Sequence, residues 1–263
     1  MSLETSERES LLSISDLSLR FGGILALDGV SFDVDQGQIC GVIGPNGAGK
    51  SSLFNCICRL YEPERGRIVF DKACLLTSPA HEIASLGIGR TFQHVASFKT
   101  MSVAQNIMVG AYHRSLAGFL GSALGLARVA RDEARMHRMA SELAAFVGLE
   151  NMVESNVAHL PFAYQKRVEF ARALASKPKL LLLDEPAAGL NHEELESLAS
   201  LILKARDLLG LTVLLVEHHM GLVMGLSDKI VVLNFGRKIA EGSPGEVKNN
   251  AEVLRAYLGG RKR

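Results

Sequence analysis

Eight consecutive residues, Gly44, Pro45, Asn46, Gly47, Ala48, Gly49, Lys50 and Ser51, carry the most specific chemistry in the chain. They match G-x-x-x-x-G-K-[ST] at every defined position, the spacing of a phosphate-binding loop. Glycines let successive backbone N–H groups converge on β- and γ-phosphate oxygens, where a Cβ would hold the anion away, and the dipole of a following helix adds positive potential. Lys50 is the residue type that neutralises phosphate charge, and the Ser51 hydroxyl suits magnesium. Ser52 completes the cofactor-binding set. The expected ligand is a nucleoside triphosphate with magnesium.

Two further groups stand where chemistry is expected. The run Leu180 to Leu183 ends in Asp184-Glu185-Pro186, which reads as a buried parallel strand delivering two acids to its C-terminal edge. That edge is where open α/β sheets bind ligands. A second such strand, Thr212 to Val216, ends at Glu217-His218. Phe21 ends the first strand, where an aromatic ring could stack on adenine and a core phenylalanine is the plain alternative.

The elements that must position these groups follow from hydrophobic period. Gln38 to Ile43 reads as a short apolar strand and Lys50 to Leu60 as a helix, the strand, loop and helix order a phosphate loop needs. Leu12, Ile14, Leu17 and Leu19 come near to period two, Gly22-Gly23 marks a turn, Val30, Phe32 and Val34 alternate, and Gly66 to Phe70 adds a β run. An antiparallel layer is therefore expected beside the nucleotide. From Ser102 to Val157 the pattern turns helical, with Gly89 to His94 as a polar connection before it. After Leu160, helices and strands alternate, and a capped helix is predicted from Ser243-Pro244 to Leu258. The fold class expected is α/β: a phosphate-loop NTPase core with an antiparallel β subdomain and an inserted helical subdomain.

A chain of 263 residues with 48% hydrophobic content is long enough for a well-buried core. Its net charge of +1 offers no basic field, so no nucleic-acid partner is expected. Cys40, Cys56, Cys58 and Cys74 show no paired metal spacing and read as reduced thiols of a cytosolic protein. The opening MSLETSERES is polar, without an apolar signal region. Ala111 to Ala130 is the nearest approach to a membrane segment, but its arginines, histidine and glycines interrupt it too often to span.

Taken together, Gly44 to Ser51, Gln93, Leu160 to Arg172, Leu180 to Glu185 and His218 stand in the order found in ABC transporter ATP-binding subunits. GRTFQH at Gly89 to His94, LDEPAAGLN at Leu183 to Asn191, VEHHMGLVMGLSD at Val216 to Asp228 and AEVLRAYLG at Ala251 to Gly259 closely resemble the longer ATP-binding subunit of branched-chain amino acid importers. The resemblance covers essentially the whole chain after the leader. It implies ATP and Mg2+ as cofactors. It also implies that Asp184 holds magnesium through water, Glu185 orients and deprotonates the attacking water, and His218 contacts the γ-phosphate. Gln93 would sense the γ-phosphate and magnesium, and Phe21 would stack on adenine. Such chemistry needs positioning and charge stabilisation more than covalent help. The domain layout implied is a leader at 1–10, a core lobe at 11–94 and 160–258, a helical subdomain at 95–159 and a basic tail at 259–263.

The family signature resembling L-S-G-G-Q, which binds the γ-phosphate held by the opposite subunit, is replaced by Leu160, Pro161, Phe162, Ala163 and Tyr164. Pro161 offers neither hydroxyl nor backbone N–H, and the Ala163 methyl group intrudes where the backbone must approach phosphate. Asn191 stands where many relatives have aspartate, as does His219, which is assigned no role. Residues supplied in cis are intact and the element supplied in trans is altered. The resemblance therefore implies pairing with a different ATP-binding subunit, a heterodimer, beside integral membrane permease subunits at the cytoplasmic face of the inner membrane. A periplasmic solute-binding protein would take part indirectly. The expected function is ATP hydrolysis coupled to import of branched-chain or related amino acids. Two alternatives stay open: the ATPase of an exporter of lipid-linked substrate, and a low-turnover nucleotide-dependent regulatory subunit.

Overall fold

The structure is a computed structural model and describes residues 9–91, 97–112 and 126–258. In chain order the strands and helices begin with β1 (Ser10–Phe21), β2 (Ile24–Asp35), β3 (Ile39–Ile43), α1 (Lys50–Ile57), β4 (Arg65–Phe70), β5 (Ala73–Cys74) and β6 (Ile88–Arg90). They continue with α2 (Val103–Val109), α3 (Leu126–Phe146), α4 (Phe162–Ala175), β7 (Leu180–Asp184), α5 (His192–Leu209) and β8 (Thr212–Val216). The last are α6 (Met220–Leu226), β9 (Lys229–Asn234), β10 (Arg237–Gly242), α7 (Pro244–Lys248) and α8 (Ala251–Leu258). Two compact units result, one formed by the chain up to Ile83 together with the chain from Ile202 onward, the other by Ala84–Leu201.

In the first unit an antiparallel sheet runs in the order β2-β1-β4-β5. Leu12 pairs with Val34 and Ile14 with Phe32, so the alternating apolar residues share one buried face. The period breaks between Ile14 and Leu17 because the strand bulges: Asp16 has φ 48° and gives its N–H to Ser31 Oγ at 2.8 Å. Gly66 of β4 lies so close to this bulge that a Cβ there would sit 2.6 Å from the Asp16 carbonyl oxygen. The turn between β1 and β2 falls at Gly22-Gly23, as its glycines predict.

The second sheet of this unit has the order β10-β9-β3-β8, with β3 parallel to β8 and β9. All five residues of β3 are buried, as are those of β8, the signature of a strand covered on both faces. Each large aliphatic buried here contributes roughly 1.5–3 kcal/mol. The start of β3 is fixed by Asp228 Oδ2, which accepts the Ile39 N–H at 2.8 Å, and by Thr212 Oγ1, which accepts the Gly37 N–H at 2.8 Å. At its end, Ile43 packs with Val223, Ile230, Val232, Val247 and Val253, so α7 and α8 support the strand.

Two expectations are corrected in this unit. The helix after the phosphate loop ends at Ile57 rather than Leu60, closed by the Cys58 and Arg59 N–H groups on the Phe54 and Cys56 carbonyls. The C-terminal helix is two helices, because Asn249 leaves helical geometry (φ −96°, ψ 0°) and Asn250 Oδ1 accepts the N–H groups of Glu252 and Val253, capping a new start.

In the second unit β6 pairs in parallel with β7, Ile88 opposite Leu180 and Arg90 opposite Leu182. Gly89-Arg90 is thus strand rather than connection. α2 opens on a capping box between Ser102 and Gln105. Buried Asn106 accepts the Phe98 N–H at 2.8 Å and donates to the Phe98 and Ser102 carbonyls, fixing the turn before α2. Gly110 lets the end of α2 rest on α4, since a Cβ there would meet the Arg172 carbonyl oxygen at 1.9 Å. Arg167 of α4 donates to the Val147 carbonyl after α3 and to Ser197 Oγ of α5. Among the described residues no helix is long and apolar enough to cross a membrane.

Candidate functional site

In the first unit the phosphate loop leaves the buried end of β3 and turns into α1. Gly44 must be glycine, because a Cβ there would lie 2.1 Å from the Leu233 carbonyl oxygen. Gly47 (φ 79°) and Gly49 (φ 104°) take left-handed conformations, and a Cβ on Gly49 would press to 2.6 Å on the Ala26 carbonyl oxygen. Around Gly47 there is open space instead. The Gly236 N–H donates to the Ala48 carbonyl at 3.0 Å, and the Asp28 N–H to the Gly236 carbonyl at 2.8 Å, so the β9–β10 turn and β2 hold the loop from outside.

Lys50 is buried, and its Nζ donates to the Gly44 and Pro45 carbonyls at 2.8 and 3.0 Å, so the ammonium folds back across the loop. Ser51 is exposed, Ser52 half-buried, Pro45 half-buried, Asn46 exposed and Ala48 buried. The N-cap residue of α1 is Gly49, which supplies no side-chain cap, and no acid stands in the first turn. A cradle that excludes Cβ atoms, an uncapped helix start and a folded-back lysine fit a phosphate chain.

Phe21 is 45% exposed and pairs with Tyr61 in a T-shaped contact at 5.0 Å, which sets aside the core-phenylalanine alternative. His218, at the end of β8, is exposed, and its N–H is held by the buried Glu217 carboxylate at 2.8 Å. Glu217 also accepts the His219 N–H at 3.1 Å, and His219 Nδ1 accepts the Leu222 N–H at the start of α6. His219 thus has a capping role that its residue type alone did not suggest. Partial burial pushes the Tyr257 phenol of α8 up to about 12.

In the second unit β7 ends in Asp184, 2% exposed, followed by Glu185 in a left-handed conformation (φ 47°). Strain of this kind concentrates at functional sites. Arg90 Nη2 donates to Asp184 Oδ2 at 2.9 Å, and Thr91 Oγ1 accepts the Asp184 N–H at 3.4 Å. Asp184 Oδ1 is buried with no hydrogen-bond partner. An orphaned carboxylate oxygen of this hardness fits magnesium or one of its waters. Arg90 was invisible as a site residue because its partner lies far along the chain. Gln93 lies outside the described residues.

The signature positions also belong to this unit. Leu160 accepts Gln165 Nε2 through its carbonyl, and α4 starts after Pro161 without a side-chain cap. The Phe162 ring covers Gly189, where a Cβ would lie 2.9 Å from Cε1. Lys166 Nζ stands 5.7 Å from the centre of that ring, and Arg167 stacks over Tyr164. Ala163 and Tyr164 are half-buried. Asn191 caps α5 reciprocally with Glu194, at 3.0 and 2.9 Å. An open groove of about 330 Å3 runs past Ile88, Arg90, Phe98, Gly110 and Arg172.

Comparison with known proteins gives the family. The ABC transporter family pattern matches residues 27–188, and the branched-chain amino acid ATP-binding cassette transporter pattern matches residues 237–263. The high-affinity branched-chain amino acid transport ATP-binding protein BraF of Pseudomonas aeruginosa is 40% identical over 249 residues, 95% of this chain and 98% of that protein. LivG of Escherichia coli, described in the same words, is 39% identical over 251 residues, again 95% and 98% of the two chains. Among solved structures, an ATP-binding cassette of an ABC transporter in its ADP conformation superposes with a TM-score of 0.83 at 29% identity, covering 95% of this chain and 99% of that one. Phosphate loop, acid-ending strand and full-length similarity agree, and the chain belongs to the ABC transporter family of ATP-binding cassettes.

Proposed function

We propose that this chain is the ATP-hydrolysing subunit of an importer for branched-chain or related amino acids. The observation that carries the reading is similarity at 39–40% identity across 95% of the chain to proteins named for that transport. In this reading the N–H groups from Gly47 to Ser52 bind the β- and γ-phosphates, Lys50 swings from the Gly44 and Pro45 carbonyls onto phosphate oxygen, and Phe21 stacks on adenine. Magnesium, if bound here, would supply positive charge against the developing charge of the phosphates. Ser51, Gln93 and the Oδ1 of Asp184 would hold it. Glu185 holds the attacking water in line and takes its proton, and His218 bonds the γ-phosphate.

The chain works peripherally at the cytoplasmic face of the membrane, against permease subunits and, through them, a periplasmic solute-binding protein. Its core lobe is 11–94 and 160–258, and its helical subdomain is 95–159. The segment after Gln93, with half-exposed Phe98 on the open groove, faces the permease. The apolar stretch from Phe119 to Leu126, which lies outside the described residues except for Leu126 at the start of α3, would also lie near the permease.

Its partner across the nucleotides is a different ATP-binding subunit with a regular signature, because Pro161 and Ala163 withdraw a hydroxyl and a close backbone approach from the partner's phosphate. Single-turnover hydrolysis by the reconstituted pair tests this. Glu185→Gln should remove most turnover while ATP stays bound, and the equivalent change in the partner should remove little. Equal losses from the two changes would refute the asymmetry.

A further inference from the structure

Asp184 is paired with a cation of its own chain. Arg90, at the end of β6, reaches its Oδ2 at 2.9 Å, and the two side chains are only 14% and 3% exposed. The pair is fixed by the strands that bear it. Arg90 lies opposite Leu182 in the parallel register, the Thr91 N–H donates to the Leu182 carbonyl at 3.0 Å, and Thr91 Oγ1 accepts the Asp184 N–H. The other oxygen, Oδ1, is buried and has no hydrogen-bond partner. One carboxylate therefore has a fixed guanidinium on one oxygen and no hydrogen-bond partner on the other, buried one.

A buried carboxylate without a counter-charge is strongly unfavourable, and a guanidinium keeps its charge in any protein environment. Arg90 thus stabilises the metal-free state. When a divalent cation takes Oδ1, the same guanidinium stands one carboxylate away from it and repels it. We propose that Arg90 is a positioning residue that lowers the affinity of Asp184 for the divalent cation, so that the metal is not trapped once the nucleotide has been hydrolysed. This rests on the reading of Asp184 as a magnesium ligand.

The experiment uses the full-length chain with ADP, and Mn2+ as probe, counting free Mn2+ by electron paramagnetic resonance. Arg90→Gln should bind Mn2+ about ten-fold tighter, the low end of what a neighbouring arginine does to the proton affinity of a carboxylate. Its metal-free melting temperature should fall, and the rise on adding Mn2+ and ADP should exceed that of the unsubstituted chain. Arg90→Lys, which keeps the charge, and Thr91→Val, which removes only the hydroxyl, should each stay within about two-fold in Mn2+ affinity. A merely structural role for Arg90 would weaken metal binding or leave it alone. Either result in a folded Arg90→Gln overturns the proposal. An Arg90→Gln chain that folds only when Mn2+ is present supports it, since the metal then supplies the missing charge; one that stays unfolded with Mn2+ overturns it. Asp184→Asn separates the two layers. If that change leaves Mn2+ affinity untouched, the magnesium reading itself has failed; if it weakens binding while Arg90→Gln does not tighten it, only the role of Arg90 has failed.

Discussion

Two glycines of the phosphate loop make a paired experiment, because the structure places different things beside them. Gly47 has φ 79° with nothing within 4 Å of a built Cβ, whereas Gly49 has φ 104° with the Ala26 carbonyl oxygen at 2.6 Å and Leu27 Cδ2 at 2.9 Å. Gly47→Ala therefore costs only the left-handed conformation, about 1–2 kcal/mol. Gly49→Ala adds an overpacking cost of about 1–3 kcal/mol, since a backbone oxygen in β2 cannot swing aside. The sum, about 2–5 kcal/mol, is a large share of a typical stability of roughly 5–15 kcal/mol. For the ligand the order changes. The space around Gly47 is where phosphate oxygens would lie, so its methyl group should displace at least one charge-assisted hydrogen bond, worth about 1.5–3 kcal/mol or roughly 10- to 150-fold in affinity. Urea unfolding without nucleotide measures the first quantity, and titration with a fluorescent ATP analogue measures the second. The reasoning fails if Gly47→Ala binds ATP as tightly as the unsubstituted chain, or if it unfolds more easily than Gly49→Ala.

Alkaline pH should weaken the fold through two buried thiols. Burial pushes Cys40 and Cys56 up from 9.0 to about 12, so both stay neutral in the folded chain where the unfolded chain ionises. Their contribution is whole below pH 9.0 and is lost as pH climbs from there toward about 12. Urea midpoints that stay level from pH 9.0 to about 11 would contradict it. At the C-terminus, Asn250→Ala removes an acceptor of the Glu252 and Val253 N–H groups and should cost about 1 kcal/mol, read as faster amide exchange confined to α8. Exchange that quickens in β3 to the same degree would show that the cap does more than start this helix.

What the sequence made legible was what short stretches encode by themselves. The phosphate loop is a local code of glycines, lysine and serine. The buried strands β7 and β8 announce themselves by apolar runs ending in charge. Two features escaped because they depend on partners far along the chain. The residues of β6 read as loop because a three-residue strand has no period of its own and exists only by pairing with β7. Arg90 carried no sign of a site role until β7 brought Asp184 to it. The single helix expected from Ser243 to Leu258 broke at Asn249-Asn250, where a side-chain oxygen competes with the helical ladder. Leu17, out of step with Ile14, hinted at the bulge, but only Gly66 on the neighbouring strand explains why it is tolerated.

The altered signature acquires a physical meaning from its neighbours. In a family signature of small residues, the start of the helix is open to a phosphate. Here that surface is given over to packing: the Phe162 ring lies on Gly189, a residue whose own φ of 83° keeps it a glycine, and Lys166, only 6% exposed, runs back beneath the ring. Gly189 closes the turn that begins at Glu185, whose carbonyl accepts the Ala188 N–H at 3.1 Å. The aromatic ring that replaces a glycine in the signature therefore rests on the segment that carries the proposed catalytic acid. Under the proposed heterodimer, what this chain would give up toward a partner's phosphate is matched by a packing contact on the segment that follows its own Glu185.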